Sequence, residues 1–296
     1  MSRFIPWQTR ILVGALFAAL GLPTSVSSQN CKNPDALGTS RTLAVGTNGG
    51  VAVGLKTYPA RLALGDREVV LTFDDGPLPG TTNRVLDALA SECVRATFFL
   101  IGRNAAASPQ LVRREVAEGH TVGHHSYSHP GVTMRGLSDA AARADIDRGF
   151  AAVDMAAFGK VETSSAETLP RVRFFRFPGF ADTKPLLGWL GSRNIAVFGA
   201  DIWASDWEPM TPEAQLALVL ARLEQARRGV ILFHDTKAQT AAMLPGFLRA
   251  LKARGYRVVH VVQGFGGSSV EPARAGWSSE TERTLKRMWP KVGRGE

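Results

Sequence analysis

The sequence predicts an α/β protein in which a parallel sheet, closed into a barrel, carries helices on its outside. From residue 68 onward, short apolar runs alternate with amphipathic segments. Strands that alternate with helices in this way form βα units and a parallel sheet. Seven such runs favour closure into a barrel over an open sheet. The chain of 296 residues, 45% of them hydrophobic, is long enough to bury the core of such a domain.

The predicted elements follow one another along the chain with few interruptions. Strands are predicted at residues 69–73, 96–100, 120–122, 173–175, 195–198, 230–233 and 257–259. Helices are predicted at residues 83–91, 109–118, 138–158, 184–192, 211–225 and 240–254. Because parallel α/β folds place functional side chains at the C-terminal ends of their strands, we expect the chemistry of this protein to lie just after the apolar runs.

The first 28 residues are typical of a secretory signal peptide. Arg3 and Arg10 supply positive charge, residues 11–22 form an uncharged apolar stretch, and the small residues 26–28 offer a cleavage site. The stretch is shorter than the roughly 20 residues that a membrane-spanning helix needs. We therefore expect an exported protein, periplasmic or extracellular, with no stable membrane span.

Two cysteines, Cys31 and Cys93, are present in the chain. In an oxidising compartment a lone pair most simply forms a disulfide. The alternative is a free thiol at Cys31 and a Cys93 that packs as a small hydrophobic residue. We predict the disulfide, since exported proteins rarely keep exposed thiols.

The chain divides by composition into four segments. The signal peptide at 1–28 is followed by an extension at 29–67, which we expect to wrap the core, and by a barrel domain at 68–263. Residues 264–296 form a tail that is rich in Gly and Ser, then basic, and has no assigned role. The formal charge of +9 favours an acidic or polyanionic partner without identifying it. We expect that partner not to be a nucleic acid.

The end of the first strand carries two adjacent carboxylates. Residues 72–77 read Thr-Phe-Asp-Asp-Gly-Pro, which alone is typical of an ordinary turn. Asp74 and Asp75 are costly to hold side by side unless a cation or an arginine compensates their charge. The pair therefore indicates either a turn or part of a charged site.

The end of the third strand is rich in histidine. His125 and His129 are four residues apart, a spacing that would put both imidazoles on one side of a helical turn. They are either a metal-binding pair or part of a solvated loop that is rich in histidine. Together with Asp75 they make a set of two histidines and one carboxylate, which suits catalytic zinc or a non-haem divalent metal.

Later strand ends add further candidates. Arg176 follows the fourth strand, Asp201 and Asp206 follow the fifth, and His234 ends the sixth. Each of them alone has an ordinary structural explanation. Their positions at successive strand ends favour one common functional site.

Taken in order, these motifs resemble those of the polysaccharide deacetylases of the NodB-homology type, carbohydrate esterase family 4. The matching stretches are Thr-Phe-Asp-Asp at 72–75, His-Ser-Tyr-Ser-His at 125–129, Arg-Phe-Pro at 176–178, the segment from Asp201 to Trp207, and an apolar strand ending in His at 230–234. The resemblance covers about residues 68–260. It implies a distorted (β/α) barrel, usually of seven strands. It also implies a secreted, metal-dependent hydrolase that removes N-acetyl groups, or alternatively O-acetyl groups, from a polysaccharide or oligosaccharide.

The resemblance assigns the metal ligands and the substrate. Asp75, His125 and His129 would hold a divalent metal, with zinc preferred and cobalt or another divalent ion as the alternative. The partner would be an acetylated glycan. His124 stands where the family often has Asn or Thr. It is a residue that supports the ligands, a fourth ligand or a bystander, and we favour the supporting role.

The resemblance also assigns the acid–base groups. Asp74 would be the general base that activates water, and Arg176 would keep it ionised by charge pairing. His234 would be the general acid that protonates the leaving amine. Asp206 would keep His234 protonated at neutral pH.

The remaining implied residues form the substrate pocket. The backbone N–H of Gly179 would stabilise the oxyanion, while Trp207 and Leu232 would line the pocket for the acetyl methyl group. The family commonly has an aromatic residue where Gly179 stands. We therefore expect Phe177 or Phe180 to supply that wall of the groove.

Three other functions are compatible with parts of the pattern. A non-haem iron oxygenase would use the same ligand types but is expected on an all-β jelly roll. A phosphatase with Asp74 as nucleophile would need an Asp-x-Asp spacing, which is absent at residues 72–77. A non-catalytic glycan- or wall-binding protein on the same barrel would need neither Asp74 nor His234.

Overall fold

A ten-stranded sheet lies at the centre of the fold in the computed structural model, which describes Met1, Cys31 and residues 33–288 except 132, 161–162, 165–166 and 268–269. The described residues from Cys31 onward form one compact unit. The predicted signal peptide, Met1 apart, lies outside the described residues. Among the described residues, no helix is both long and apolar enough to cross a membrane.

Most strands are short, and those in the middle of the main sheet are buried. They are β1 Thr39–Gly46, β2 Ala52–Val53, β3 Ala60–Leu62, β4 Glu68–Asp74, β5 Thr97–Leu100, β6 Thr121–His124, β7 Thr163–Ser164, β8 Glu167–Thr168, β9 Phe174–Phe175, β10 Ala196–Phe198, β11 Ile202–Trp203, β12 Gly229–His234, β13 Arg257–Gly264 and β14 Val270–Pro272.

Helices follow most strands of the sheet. They are α1 Thr81–Ser91, α2 Gly102–Ala107, α3 Pro109–Ala117, α4 Asp139–Phe158, α5 Lys184–Ser192, α6 Pro212–Ala226, α7 Ala238–Ala253 and α8 Glu280–Met288. Several begin at a residue whose side chain accepts a backbone N–H of the first turn, as Ser138, Thr183 and Thr211 do for α4, α5 and α6.

Every strand pair within the main sheet is parallel. Its order is β1-β13-β4-β5-β6-β9-β10-β2, and β12 pairs with both β4 and β11. The two small sheets, β3 with β14 and β7 with β8, are antiparallel. A mostly parallel sheet with helices confirms the predicted fold class and is consistent with a distorted (β/α) barrel.

The core has an inner and an outer part, which explains why the strands are apolar on both faces. In β4, Val69, Leu71 and Phe73 pack with buried residues of α1, α6 and α7. Val70 belongs to a second cluster, whose buried members come from strands or from residues just after them, among them Phe99, Phe174, Phe198 and Val259. Such a helix-free cluster is what the interior of a small barrel requires.

The register of the sheet brings the predicted strand ends together. His234 at the end of β12 lies opposite Asp74 at the end of β4. His124 at the end of β6 lies opposite Leu100 in β5 and Phe175 in β9. The polar residues that follow these strands therefore meet at one end of the sheet.

The predicted helices and strands are present, with boundaries mostly shifted by one or two residues. Elements that were not predicted include α2, β11 and α8, and others lie before residue 68. There the structure adds β1, which pairs with β13 over most of its length, and β2, which pairs with β10. The pairing with β1 also extends β13 to Gly264, five residues beyond the predicted strand. A strand at this edge depends on long-range pairing, which local periodicity does not reveal.

The predicted disulfide is confirmed, since Cys31 and Cys93 are bonded with Cα atoms 5.8 Å apart. Cys93 follows α1, so the bond attaches the segment before β1 to the outside of the barrel. Two hydrogen bonds hold the same segment against the end of α1. Gly38 N–H donates to the carbonyl of Glu92 at 2.8 Å, and Arg95 N–H donates to Thr39 Oγ1.

We predict that replacing Cys93 with Ser lowers the free energy of unfolding by about 2–4 kcal/mol, because the bond closes a long loop and restricts the unfolded chain. The two cysteines are 62 residues apart in sequence. Chemical denaturation of wild type and variant measures the difference, and mass spectrometry of non-reduced peptides verifies the bond. Equal denaturation midpoints for oxidised wild type and Cys93→Ser would contradict the prediction.

Candidate active site

The end of β4 directs its two carboxylates to different places. Asp74 is the last residue of the strand and faces the barrel interior with Thr72, two residues before it. Asp75 leaves the strand in a left-handed conformation, with φ at 74°. Non-glycine residues adopt this conformation infrequently, and Asp does so more readily than most. The backbone change separates the roles that the two neighbours can perform.

The histidine pair lies in a loop that α4 supports. Residues 125–129 are not helical, so the predicted helical turn is wrong for this segment. The Asp145 carboxylate on α4 accepts the backbone N–H groups of Tyr127 and Ser128, each at 3.2 Å. Ser126 Oγ accepts the N–H of His129 at 3.1 Å. These bonds shape the loop so that the rings of His125 and His129 have centroids 5.1 Å apart.

Asp75, His125 and His129 converge on one point. Asp75 Oδ1 is 3.6 Å from His125 Nε2 and 3.5 Å from His129 Nε2, and one ligand atom of each of the three residues lies within 4.8 Å of the others. Asp75 Oδ1 is buried and has no hydrogen-bond partner among the described residues. A buried carboxylate oxygen without a partner, facing two imidazole nitrogens, fits a bound cation.

The hydrogen bond made by Nδ1 of His125 determines which of its two ring nitrogens can bind a metal. Nδ1 lies 2.8 Å from the carbonyl oxygen of Arg176, which can only accept a hydrogen bond. Nδ1 therefore carries the proton, and Nε2 presents a lone pair toward Asp75. Burial lowers the pKa of His125 to about 3, with the nearby His129 adding to the effect, so the ring is neutral. A neutral, oriented imidazole is the form that ligates metals.

Arg176 is a fully buried charged residue beside the site. Its side chain is 0% exposed and donates Nε to Phe198 O at 3.1 Å and Nη2 to Gly199 O at 2.8 Å. Nη1 donates to Asp74 Oδ1 at 2.7 Å and to Thr72 Oγ1 at 2.9 Å. Each of the three guanidinium nitrogens thus has at least one acceptor, as a buried charge requires.

Arg176 pairs with Asp74 as predicted, but burial has the larger effect on the Asp74 carboxyl. Loss of solvation raises the pKa of Asp74 to about 6, against the opposing effects of Arg176 and His234. The carboxyl is therefore ionised above about pH 6. Its second oxygen, Oδ2, lies 3.9 Å from His125 Nε2, on the side of the histidine pair.

His234 lies beside Asp75 and forms a hydrogen-bonded ion pair with Asp206. Its Nδ1 is 2.7 Å from Asp206 Oδ1, while its Nε2 is 3.9 Å from Asp75 Oδ2. Burial alone would lower the pKa of His234, but Asp206, with smaller contributions from Asp75 and Asp74, raises it to about 9. The Asp206 carboxylate is fixed by Thr240 Oγ1 and by the His234 N–H, both at 2.7 Å. His234 is therefore protonated at neutral pH.

A cavity of about 260 Å³ opens over these groups. Its floor contains Asp74, Asp75, His125, His129 and His234. The walls contain every residue that the sequence assigned to the substrate pocket, together with several that it did not. The assigned residues are Gly179, Phe180, Trp207 and Leu232, joined by Phe177; the others are Trp203, Lys237, Thr281, Thr284 and Leu285.

Position 179 is a glycine, and the aromatic rings on this side of the cavity belong to the residues on either side of it. Gly179 has φ at 59°, and a Cβ placed there would meet nothing within 4 Å. Phe177 and Phe180 line the cavity on either side of it. Phe180 stacks on Trp203 at 6.1 Å, and Trp203 contacts Trp207 edge-to-face at 5.8 Å. The cavity therefore has an aromatic side although position 179 has no side chain.

His124 does not support the ligands as we expected. Its Nε2 is 3.0 Å from the carbonyl oxygen of Val172, and its ring packs edge-on against Phe150 of α4. Its Nδ1 has no hydrogen-bond partner in the part of the chain that the structure describes. Because strand residues alternate, His124 points to the opposite face of β6 from Gly123, into the layer between sheet and helix.

Asp201 also lies outside the cavity lining. Its carboxylate accepts the N–H of Leu55 at 2.9 Å and that of Val230 at 2.8 Å. It therefore joins the segment after β2 to the start of β12 and has a structural role. Asp206, five residues later, is the acidic residue of this stretch that reaches the site.

The residues missed by the sequence prediction come from two places. Trp203, in β11, lies within the recognised segment at 201–207, and Lys237 lies just before α7, three residues after His234. Thr281, Thr284 and Leu285 belong to α8, in the tail to which the sequence assigned no role. The spacing of Thr281 and Leu285, four residues apart, is the only local signal that these residues share a helix face.

The chain is similar in sequence to a family of known proteins. Residues 62–182 match the family model described as polysaccharide deacetylase. The chain is 33% identical over 215 residues to a chitooligosaccharide deacetylase of Sinorhizobium fredii, covering 68% of this chain and 93% of that one. It is 34% identical over 213 residues to a peptidoglycan-N-acetylglucosamine deacetylase of Bacillus cereus, covering 68% of this chain and 72% of that one.

A solved structure shows the same fold. The peptidoglycan deacetylase of Bdellovibrio bacteriovorus superposes with a TM-score of 0.66 at 30% sequence identity. The match covers 78% of this chain and 61% of that structure, so this chain corresponds to less than two thirds of that protein.

We predict that Arg176→Met destabilises the fold by about 3–5 kcal/mol, because it leaves the Asp74 carboxylate buried without its partner. The double variant Asp74→Asn with Arg176→Met should lose clearly less than the sum of the two single losses. Urea denaturation of all four proteins above pH 7 measures the coupling. Strictly additive losses would show that the two side chains do not depend on each other.

Proposed function

This chain belongs to the polysaccharide deacetylase family of hydrolases, and from that premise we propose that it is a metal-dependent enzyme that removes N-acetyl groups from a glycan outside the cytoplasm. The observation that carries the proposal is the joint placement of two groups in one cavity. Asp75, His125 and His129 form a set of three possible metal ligands. Asp74, which is ionised at neutral pH, and His234, which is protonated, line the same cavity.

We propose Asp75, His125 and His129 as the ligands of a divalent ion, for which zinc suits two imidazoles and a carboxylate. Three protein ligands leave a coordination position open, as catalytic sites require. When bound there, the ion supplies a Lewis acid that acidifies a water molecule and polarises the acetyl carbonyl.

Asp74 is the proposed general base. Its Oδ1 is held by Arg176, which leaves Oδ2 for a water proton on the side of His125. With a pKa of about 6, the carboxylate is ionised at neutral pH and more basic than an ordinary aspartate. A base whose pKa is just below the working pH is mostly ionised and still has a high affinity for a proton.

His234 is the proposed general acid. Its Nδ1 is occupied by Asp206, so Nε2–H is the group that faces the cavity and Asp75. Amide hydrolysis needs a proton on the leaving nitrogen, since an amide anion is a very poor leaving group. Asp74 thus takes a proton from water, and His234 gives one to the amine.

The oxyanion and the acetyl methyl group are assigned to the cavity walls. Gly179 would donate its backbone N–H to the oxyanion, a role that needs no side chain. Trp207 and Leu232, with Phe180 beside them, would enclose the methyl group. Their apolar surfaces lie within the same cavity as His234.

The proposed substrate is a glycan that contains N-acetylglucosamine. The similar proteins named above act, by their names, on chitooligosaccharide or peptidoglycan. Export is supported by the pattern of the first 28 residues and by the Cys31–Cys93 disulfide. Removal of the first 28 residues, with Arg3 and Arg10, would lower the formal charge from +9 to about +7, which still favours encounter with an anionic wall polymer.

Two other functions are disfavoured by particular observations. A protein that only binds glycans has no need for a buried Asp74–Arg176 pair facing a His234–Asp206 pair across one cavity. An oxygenase with this ligand set is expected on an all-β fold, whereas this sheet is parallel and covered by helices.

The proposal predicts that a chelator abolishes acetate release and that added zinc or cobalt restores it. His125→Ala should behave like the chelated wild type, because two remaining protein ligands hold zinc weakly. Acetate release from N-acetylglucosamine oligomers and metal content by elemental analysis are measured together. His124→Asn, which removes an imidazole that points away from the cavity, is the control and should retain its metal. Full acetate release by metal-free protein would refute metal dependence.

A second prediction concerns the alkaline limb of the pH profile. His234 must be protonated, and its pKa of about 9 depends on Asp206. Asp206→Asn removes the negative charge and lowers that pKa, so activity should fall at a lower pH than in wild type. The acid limb, set by Asp74, should move little. The measurement is kcat/KM against pH.

The matched control for this profile is Gln239→Ala. Gln239 donates to the backbone carbonyl of Asp206 at 2.9 Å, so its loss leaves the Asp206 carboxylate in place. The control should keep the wild-type alkaline limb. An alkaline limb that is unmoved in Asp206→Asn would show that His234 is not the acid whose protonation is required.

A further inference from the structure

The C-terminal helix α8 forms part of the catalytic cavity. Thr281, Thr284 and Leu285 line it together with Asp74, Asp75 and the two candidate metal-binding histidines. Thr281 and Leu285 are buried, at 2% and 7% exposure. The next residues on the helix, Lys286 and Arg287, are exposed. One face of α8 is therefore directed at the site.

The first turn of α8 is fixed to one side of the cavity. Glu280 forms an ion pair with Lys56, and the Lys56 ammonium lies 5.2 Å from the centre of the Trp203 ring. Thr281 Oγ1 lies 2.9 Å from Thr57 Oγ1, and Thr281 N–H donates to Lys56 O at 2.9 Å. These contacts hold the helix beside the aromatic wall.

The same turn is also fixed to the other side. Glu282 forms an ion pair with Arg135, six residues beyond His129. Arg135 Nε also donates to the carbonyl of Asp182, two residues after Phe180, at 2.6 Å. Helix α8 therefore bridges the segment beside Trp203, the chain that follows the histidine loop and the chain that follows Phe180.

A helix in this position limits what the cavity can hold. The volume of about 260 Å³ lies below the roughly 300–1,000 Å³ of cavities that enclose drug-sized ligands. A residue inside a long glycan needs an open path for the chain on both sides, and a bridging helix obstructs one side.

We propose that α8 is a specificity element that closes one end of the substrate groove, so that the enzyme deacetylates sugar residues at or next to a chain end and favours oligosaccharides over long polymers. The proposal rests on the deacetylase function proposed above. Thr284 offers a hydroxyl for hydrogen bonding to sugar, and Leu285 offers an apolar surface for the face of the ring. Both are specificity-determining residues without a part in the chemistry.

The test compares two opposite changes in the wall. Leu285→Ala widens the cavity, and Thr284→Phe narrows it. The substrates are N-acetylglucosamine oligomers of two to six units and a soluble N-acetylated polymer, and the position of the deacetylated residue is read by tandem mass spectrometry. A small aryl acetate, which needs no sugar contact, reports the state of the catalytic groups in every variant.

Wild type should deacetylate the oligomers at one end. Leu285→Ala should spread the products to internal positions and raise activity on the polymer relative to the tetramer about tenfold, a change of the size expected from removing apolar contacts in a pocket. Thr284→Phe should lower kcat/KM for the tetramer about tenfold more than it lowers kcat/KM for aryl acetate. Arg287→Ala, on the exposed face of the same helix, should match wild type throughout.

Three results would overturn the proposal. Wild type that deacetylates internal and terminal residues equally would show that α8 closes nothing. Product positions that are the same in wild type, Leu285→Ala and Thr284→Phe, with aryl acetate turnover intact, would show that α8 does not contact the glycan. Wild type that is active on aryl acetate and on no glycan would instead refute the proposed function, and the specificity proposal with it.

Discussion

The buried ion pair between Arg176 and Asp74 is the interaction on which the rest of the site depends. Arg176 follows β9, and its guanidinium reaches Asp74 and Thr72 in β4 as well as the carbonyls of Phe198 and Gly199 at the end of β10. It thus joins three parts of the sheet around one charge. Its own backbone carbonyl accepts Nδ1–H of His125. One residue therefore orients both the candidate base and a candidate metal ligand.

Burial of this pair has a chemical consequence as well as a structural one. In water an aspartate is a weak base, with a pKa of about 4. Inside the barrel, loss of solvation raises the Asp74 pKa to about 6, and Arg176 prevents a larger rise. His234 is shifted in the same direction, to about 9, because Asp206 favours the imidazolium. Between these two values one group can accept a proton while the other can donate one.

The features that could be predicted from the sequence are those encoded by local pattern. Apolar runs located the strands, and the strand-end rule placed Asp74, Arg176 and His234 at one end of the sheet. The features that were missed depend on distant contacts. β1 is stabilised by its pairing with β13, more than 200 residues away in the chain. The place of α8 in the cavity depends on Lys56, Thr57 and Arg135, which no local pattern connects to residues 280–288.

The histidine loop shows a different limit. The four-residue spacing of His125 and His129 selected two rings that do lie close together, although the loop that carries them is not helical. Its shape comes from Asp145 on α4, which accepts two backbone N–H groups of the loop. His124, by contrast, was predicted to support the site because it is next to His125 in sequence. In the structure the alternation of side chains along β6 points it away from the cavity. The face of the sheet on which a side chain lies depends on the alternation along the strand, and not on how close the residue is in sequence to the site residues.

The central claim is that Asp74 and Asp75, although adjacent, have separate roles as base and metal ligand. The most direct measurement is the zinc content and the rate of acetate release of Asp74→Asn and Asp75→Ala, each compared with wild type. We predict that Asp74→Asn keeps its zinc and loses activity by a factor of roughly 10²–10⁴, the usual contribution of a general base, whereas Asp75→Ala loses zinc and activity together. Near-full activity of Asp74→Asn with zinc bound, or full zinc occupancy in Asp75→Ala, would contradict the account.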